Sequence, residues 1–399
     1  MRILFINKLL LKVSGGTERH IKDLIINLSK KGHKITVLTE IGDEKKIEDI
    51  MRNKNVKIIF MPSTDVSIKS YKKLKETSFF KKIEENKLAW RIFITTKRIL
   101  SFKENFGWIL NSLKWVLNHK KEFDVISVHY VPEFEIAKFS YFLKRIPYVA
   151  FLEGYSFFES DIVKKSKNVT TISKFIKEKC ERVHGFSPEL IPIGVNFNKF
   201  ANFDKKIVSN IRKKYCKDGD YLILNAARLV RGKGVENMIE ASALALKKNK
   251  RLKFIVCGDG VERSELERRI RKLKIEKNFK LVRAFGDELI NYYHAADIFV
   301  HVPDLTNHFG IVYLEAMSSG VPIIASDYEA TPSTVGKAAI LVPIENPEAL
   351  SKAMIKLINN QKIKDKISKE GLKRVKNEFN WDKIIPKVEE LYRKAITNK

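Results

Sequence analysis

Short apolar runs alternate with stretches of helical period along most of this chain. The first run, Arg2 to Asn7, leads through a loop at Ser14-Gly15-Gly16 into a helix whose Ile21, Leu24, Ile25 and Leu28 share one face. Gly32 ends that helix. Further strands are expected at Lys34 to Thr39, Val56 to Met61, Asp124 to Tyr130, Tyr148 to Leu152, Asn168 to Ile172 and Leu190 to Val195. Continuously apolar strands set between helices specify a parallel sheet covered on both faces. A polar stretch around Ala201 to Asp220 interrupts the pattern, which restarts with Tyr221 to Ala227, a helix from about Val235, Leu252 to Cys257, a helix from Val261, and Phe279 to Ala284. Ile298 to Val302, Val321 to Ala325 and Ala339 to Val342 complete a second set, with a helix over Gly310 to Ser319. The fold class read from this pattern is α/β, with two Rossmann-like doubly wound parallel-sheet domains, 1–198 and 199–378. A last helix, from Asp382, carries Ile384, Ile385, Val388, Leu391, Tyr392 and Ala395 on one stripe that must be buried.

The region from Pro62 to Lys121 breaks the pattern. It holds fourteen Lys or Arg against five Asp or Glu and is rich in aromatics, among them Trp108 and Trp115. Phe106, Ile109, Leu110, Leu113 and Leu117 are expected to form one helical face, with the two tryptophans on its flank. That face either packs on the first domain or meets a membrane or acceptor.

Charge then narrows the partners. Over 399 residues, 76 Lys and Arg oppose 47 Asp and Glu, a formal charge of +29. Anionic partners are expected, whether phosphorylated small molecules, an anionic membrane surface or nucleic acid, against the alternative of a merely solvated basic surface; no motif that would recognise nucleic acid is present. Cys180, Cys216 and Cys257 form neither a Cys-x-x-Cys pair nor a disulfide framework, so reduced thiols and a cytoplasmic setting are expected. Asn7 and Lys8 cut the N-terminal apolar run short of a signal peptide, and no stretch is long enough to span a bilayer.

Ligands of open parallel sheets bind beyond the carboxyl ends of the strands, so chemistry is sought just after each strand, where two such domains would face each other across a cleft. Arg228 and Lys233, in Ala227-Arg228-Leu229-Val230-Arg231-Gly232-Lys233-Gly234-Val235, stand just ahead of a helix N-terminus, a diphosphate site if they are not merely solvated. In the run Val302 to Met317, Gly310 and Ile311 open a helix directly after a strand, a second anion site. Glu315, about a turn further in, could accept both hydroxyls of a ribose or complement the helix dipole. His129 follows its strand toward the cleft and is otherwise a packed or capping residue. Asp218-Gly219-Asp220 has the look of a metal-binding Asp-x-Asp but precedes its strand, so it reads as a turn. The histidines show no metal-ligand spacing with the cysteines, so no structural zinc is expected.

Taken together, Gly15-Gly16, Pro192-Ile193-Gly194-Val195-Asn196, Arg228 with Lys233-Gly234-Val235, Gly258-Asp259-Gly260, Ala296-Asp297, and Phe309-Gly310 through Glu315-Ala316-Met317 with Gly320-Val321-Pro322 resemble retaining glycosyltransferase family four, which has the GT-B fold. They occur in family order over nearly the whole chain. The resemblance implies a nucleotide-diphosphate sugar donor, a glycan or lipid-linked acceptor, and no metal or other cofactor. It implies that Arg228 and Lys233 hold the diphosphate, that Gly310 and Ile311 donate backbone N–H groups to it, that Glu315 binds the ribose, and that Gly258 lies on the donor side. Gly16 would close over the phosphates, with Gly15 and His129 on the acceptor side. It also implies that the helix over 382–397 returns to the first domain. Two residues depart from the family pattern. Asn307 replaces a glutamate eight residues before Glu315, and Glu153, in Leu152-Glu153-Gly154, replaces a histidine facing the donor sugar. The carboxylate lost at one wall is then expected back at the other, while a non-catalytic nucleotide- or partner-binding subunit is the competing reading.

Overall fold

Val, Ile, Leu and Phe fill the middle of nearly every strand, and the strands run parallel in two sheets. The computed structural model describes residues 1–10, 15–62, 105–155, 163–164, 166–305 and 308–398. Asn307 and most of the basic aromatic segment lie outside the described residues.

The first sheet comprises β1 (Arg2–Ile6), β2 (Lys34–Glu40), β3 (Val56–Met61), β4 (Val125–Val128), β5 (Tyr148–Leu152), β6 (Val169–Thr171) and β7 (Glu189–Leu190) in the spatial order β3-β2-β1-β4-β5-β6-β7. The second comprises β8 (Tyr221–Ala226), β9 (Leu252–Cys257), β10 (Phe279–Val282), β11 (Ile298–His301), β12 (Ile323–Ser326) and β13 (Ala339–Val342) in the order β10-β9-β8-β11-β12-β13. Both repeat the doubly wound 3-2-1-4-5-6 order. Central strands are buried on both faces, as at Ile3 to Ile6 and Leu222 to Leu224, which is why they read as unbroken apolar runs.

The chain forms two compact units: Met1–Ile172, Ile176–Ile191 and Ile385–Lys399 in one, Ser173–Phe175 and Pro192–Ile384 in the other. In the first unit, α1 (Gly16–Lys30), α2 (Phe106–Asn118) and α3 (Glu133–Lys144) cover the sheet; in the second, α4 (Val235–Lys248), α5 (Glu288–Ala295) and α6 (Ile311–Ser318) do so. The last helix, α7 (Trp381–Thr397), begins in the second unit and continues in the first. There Tyr392 is fully buried, its hydroxyl donating to Ser127 Oγ of β4 at 2.9 Å.

Three local expectations change. The run Leu190 to Val195 does not form one strand. Pairing with β6 ends at Ile191, whose N–H reaches Thr171 O at 3.0 Å, because Pro192 has no N–H to continue the ladder. Val195 instead donates to Phe379 O at 2.7 Å. In α2 the buried stripe is Trp108, Ile109, Ser112 and Val116, while Phe106 and Leu110 are about half exposed. Trp108 is therefore core rather than flank. Polar Ser112 sits within the buried stripe, so a face chosen from apolar residues alone lands about 100°, one residue, away. Finally, the polar stretch after Ala201 contains a helix, Lys205–Tyr215, whose N-cap Asp204 accepts from the backbone N–H of Lys206 and Ile207.

Candidate functional site

In each unit the strand order reverses between the first and fourth strand, so the carboxyl ends of β1 and β4, and of β8 and β11, flank the crevice where doubly wound sheets take ligands.

In the first unit, α1 starts at Gly16 with Gly15 as an extended N-cap that makes no side-chain capping bond. Glu153 follows β5 and His129 follows β4; both are buried. Histidine 20, on the buried face of α1, completes a cluster: its Nδ1 lies 2.8 and 2.9 Å from the two Glu153 oxygens, and His129 Nδ1 lies 2.8 Å from Glu153 Oε1. Hydrogen-bond direction can be traced through it. Tyr392 O–H donates to Ser127 Oγ, leaving the serine proton for His129 Nε2 at 3.3 Å. His129 is thereby the Nδ1–H tautomer and donates to Glu153. Burial pushes the His129 ring toward its neutral form more strongly than Glu153 pulls it the other way. For Glu153, burial raises the carboxyl, but the His20 charge and the two ring N–H donors outweigh it and hold it at about 2. Phe151 stacks on His129 with ring centroids 4.5 Å apart. The product is a fixed carboxylate beside the strand ends.

Among the described residues, His20, His129 and Glu153 are also the set whose donor atoms converge for a metal, all lying within 4.8 Å of one another. The carboxylate there already accepts from both rings, so its two oxygens have hydrogen-bond partners.

In the second unit, the loop after β8 carries exposed Arg228 and half-buried Lys233 into α4. Gly234 is the N-cap, at φ +70°, and a Cβ there would stand 1.8 Å from Val302 O, so only glycine lets this loop press against the end of β11. No side chain caps α4. Burial lowers the Lys233 pKa and the Arg228 charge lowers it further, with Asp304 opposing. Buried His301, at the end of β11, is pushed down to about 3 by burial and by Lys233. These shifts mark a concentration of positive charge around Lys233. Gly258 follows β9 at φ +151°, where a Cβ would collide with Ala227 O at 1.9 Å. Gly310, at φ +83°, is the N-cap of α6, whose first turn holds neither a side-chain cap nor an acid. Two helix N-termini and two cations thus follow strands of one sheet, the arrangement that binds phosphates.

Glu315 is the fifth residue of α6, beyond its first turn, so complementing the helix dipole does not explain it. It is buried, and Tyr293 O–H of α5 donates to its Oε2 at 2.7 Å. Asp218-Gly219-Asp220 is a turn ahead of β8, with Gly219 at φ +79°. His20, Tyr293 and His301 carry the support of these groups and have no signature in the sequence. His20 sits on the apolar face of an amphipathic helix, and the other two read as strand or helix core.

A family model described as glycosyltransferase family 4 matches residues 14–199, and one described as glycosyl transferases group 1 matches residues 208–374. An uncharacterised glycosyltransferase of Methanocaldococcus jannaschii is 24% identical, over 96% of both chains. The alpha-monoglucosyldiacylglycerol synthase of Streptococcus pneumoniae is 25% identical over 78% of this chain and 68% of its own. Among solved structures, Anabaena HepE in complex with UDP superposes with a TM-score of 0.76 at 17% identity, covering 98% of this chain and 99% of its own. With the two doubly wound sheets, these matches establish that the chain belongs to glycosyltransferase family four and has the GT-B fold.

Proposed function

We propose that this glycosyltransferase retains anomeric configuration, takes a nucleotide-diphosphate sugar without a metal, and transfers the sugar to a hydroxyl of a glycan or lipid-linked acceptor on the cytoplasmic face of an anionic membrane. The observation that carries the proposal is the cationic pair Arg228 and Lys233 ahead of the uncapped α4, together with the glycine-opened α6 in the same sheet. As the bond from the anomeric carbon to the diphosphate oxygen breaks, negative charge grows on the departing diphosphate. Arg228, Lys233 and the backbone N–H groups of Gly310 and Ile311 stabilise it, a task that elsewhere falls to a divalent ion. The acceptor hydroxyl attacks from the same face, and its proton leaves with the diphosphate. Glu315, oriented by Tyr293, takes the ribose; Gly258, Asn307 and Gly16 line the donor, and Gly15 and His129 the acceptor side.

Glu153 enters this scheme as a clamped anion rather than a nucleophile, because both of its oxygens accept from imidazole N–H groups. It favours positive charge developing on the sugar. The UDP bound by the structural neighbour makes uridine diphosphate sugars the first donors to test, and the diacylglycerol in the pneumococcal relative's name supports a lipid acceptor. The test is donor hydrolysis and transfer assayed with UDP-, GDP-, ADP- and dTDP-sugars in the presence of EDTA, with NMR of the product. Retained configuration and EDTA-insensitive turnover are expected. An inverted product, or turnover abolished by EDTA and restored by a divalent ion, overturns the reading.

A further inference from the structure

A groove of about 510 Å³ opens in the first unit at the end of the sheet opposite the clustered histidines. Its walls come from α3, from Pro147 and Tyr148 at the start of β5, from the segment just before β6, and from the end of α7. Tyr148 is the first residue of β5 and Leu152 the last, so about 13 Å of strand separates the groove from the residue preceding Glu153. It is therefore distinct from the donor and acceptor residues already described.

Its chemistry is amphiphilic. Phe139, Phe142, Pro147 and Tyr148 give it apolar walls, and Lys138 and Lys167 stand in the same lining. Phe142 is 77% exposed and Leu143, beside it, 51%. The helix ends there: Lys144 is its last residue and Arg145, in the left-handed region at φ 52°, is its C-cap. The tip thus presents Phe142 and Leu143 flanked at once by Lys144 and Arg145. Glu135, the acid in the lining, is buried. A groove of this size suits one flexible apolar chain, and the two lining lysines, with Lys144 and Arg145 at the adjoining helix tip, suit a phosphate headgroup.

We infer that this groove docks the first unit onto a membrane by taking an acyl chain of an anionic phospholipid, with Phe142 and Leu143 dipping into the leaflet and Lys138, Lys144, Arg145 and Lys167 meeting its phosphates. The inference rests on the membrane-facing part of the proposed function and gives that attachment an address. Charge complementarity selects the occupant: the chain carries +29 overall, and Lys138 and Lys167 repeat that sign beside an apolar slot. Neither a basic protein nor a neutral detergent answers both features.

The test is co-sedimentation of the full chain with vesicles of phosphatidylcholine containing 0, 20 or 40 mol% phosphatidylglycerol (about these proportions, to bracket natural anionic content). Three variants accompany it: Phe142→Ser, the double Lys138→Glu/Lys167→Glu, and Ile207→Ser as an exposed apolar control in the second unit. Melting temperature and UDP-sugar hydrolysis are recorded for each. The parent should bind in proportion to the anionic fraction and release with salt. Phe142→Ser and the lysine double should each weaken binding about tenfold or more, while Ile207→Ser binds as the parent does and hydrolysis is unchanged in all three. A parent that ignores anionic vesicles overturns both this inference and the membrane part of the proposed function. A parent that binds while Phe142→Ser binds equally well overturns the groove alone and assigns the contact to another surface, such as the lysine-rich segment after Pro62. A Phe142-dependent dimer in sedimentation, without lipid binding, overturns the lipid and identifies a second copy as the occupant.

Discussion

Replacing Glu153 by glutamine keeps the shape of a buried side chain and removes the charge on which two imidazoles converge. A carboxyl moved from its ordinary 4.5 to about 2 stabilises the fold by about 3 kcal/mol at neutral pH, at about 1.4 kcal/mol per tenfold change in proton affinity. Glutamine returns one acceptor at the position both rings share, but its NH₂ then faces the ring N–H of His20, a donor-to-donor mismatch that costs on the order of 1–3 kcal/mol by itself. A loss of about 3 kcal/mol at pH 7 is expected, or roughly 6–12 °C in the melting of a unit of some two hundred residues. The direction with pH follows from the signs of the shifts. A depressed carboxyl contributes fully above 4.5 and its contribution is lost as pH falls from 4.5 toward 2. His129, also depressed, adds instability as pH falls below 6.5. Glu153 opposes the depression of His129, so the gap between parent and variant should hold from neutrality down to about pH 4.5 and narrow only below it. Calorimetry at several pH values measures it, with UDP present to identify the second unit's transition by its shift. In a double-mutant cycle with His20→Asn, the two losses should fall short of additivity by more than about 1 kcal/mol. A variant melting within about 1 °C of the parent at pH 7, or strict additivity with His20→Asn, would refute the clamped-anion account.

Arg228→Ala and Lys233→Ala should each lower kcat/KM for the donor by about a hundredfold, a loss of about 3 kcal/mol, without changing the melting temperature by more than about 2 °C; steady-state kinetics and thermal melts check both. Because burial and Arg228 lower the Lys233 pKa from 10.5, donor affinity should decline as pH rises, beginning before 10.5 as the ammonium loses its proton, a decline absent in Lys233→Arg and visible by titration calorimetry across alkaline buffers. Glu315→Gln should weaken UDP binding about tenfold and leave product configuration unchanged, as read by calorimetry and NMR. Gly234→Ala places a methyl against Val302 O at a left-handed φ and should cost about 2 kcal/mol or more along with most donor binding; urea denaturation and UDP titration report the two losses separately.

The parallel sheets were legible because their signal is local: each central strand is buried on both faces, so it shows an unbroken run such as Ile3-Leu4-Phe5-Ile6. Gly234 and Gly258 were picked out by the family resemblance and Gly310 as a helix start; their positive φ, and the backbone oxygens a Cβ would strike at Gly234 and Gly258, emerge only in the fold. What could not be read was set by partners distant in sequence. The cluster joins His20 to Glu153 across 133 positions, and Ser127 to Tyr392 across 265. His20 in particular sits on an apolar stripe among Ile21, Leu24 and Ile25, where nothing local separates it from core packing. The rotated face of α2 failed in the opposite way, since Ser112 is buried despite its hydroxyl and Leu110 is exposed despite its side chain. Helix-period arguments weigh residue type, whereas burial follows the neighbouring helix.

The path of the backbone has a consequence for how the protein is made. The first unit is closed by residues 385–399, which are synthesised roughly 190 positions after Ile191, the last residue of its earlier part. At about 5–20 residues per second, translation leaves that unit waiting roughly ten to forty seconds for its final helix. During that interval Ser127 lacks the hydroxyl of Tyr392, and the surface later covered by Ile385, Val388 and Leu391 is open. The second unit, contiguous apart from Ser173–Phe175, emerges whole within the same interval. Completion of the two units therefore runs against sequence order, and the half that begins first is finished last.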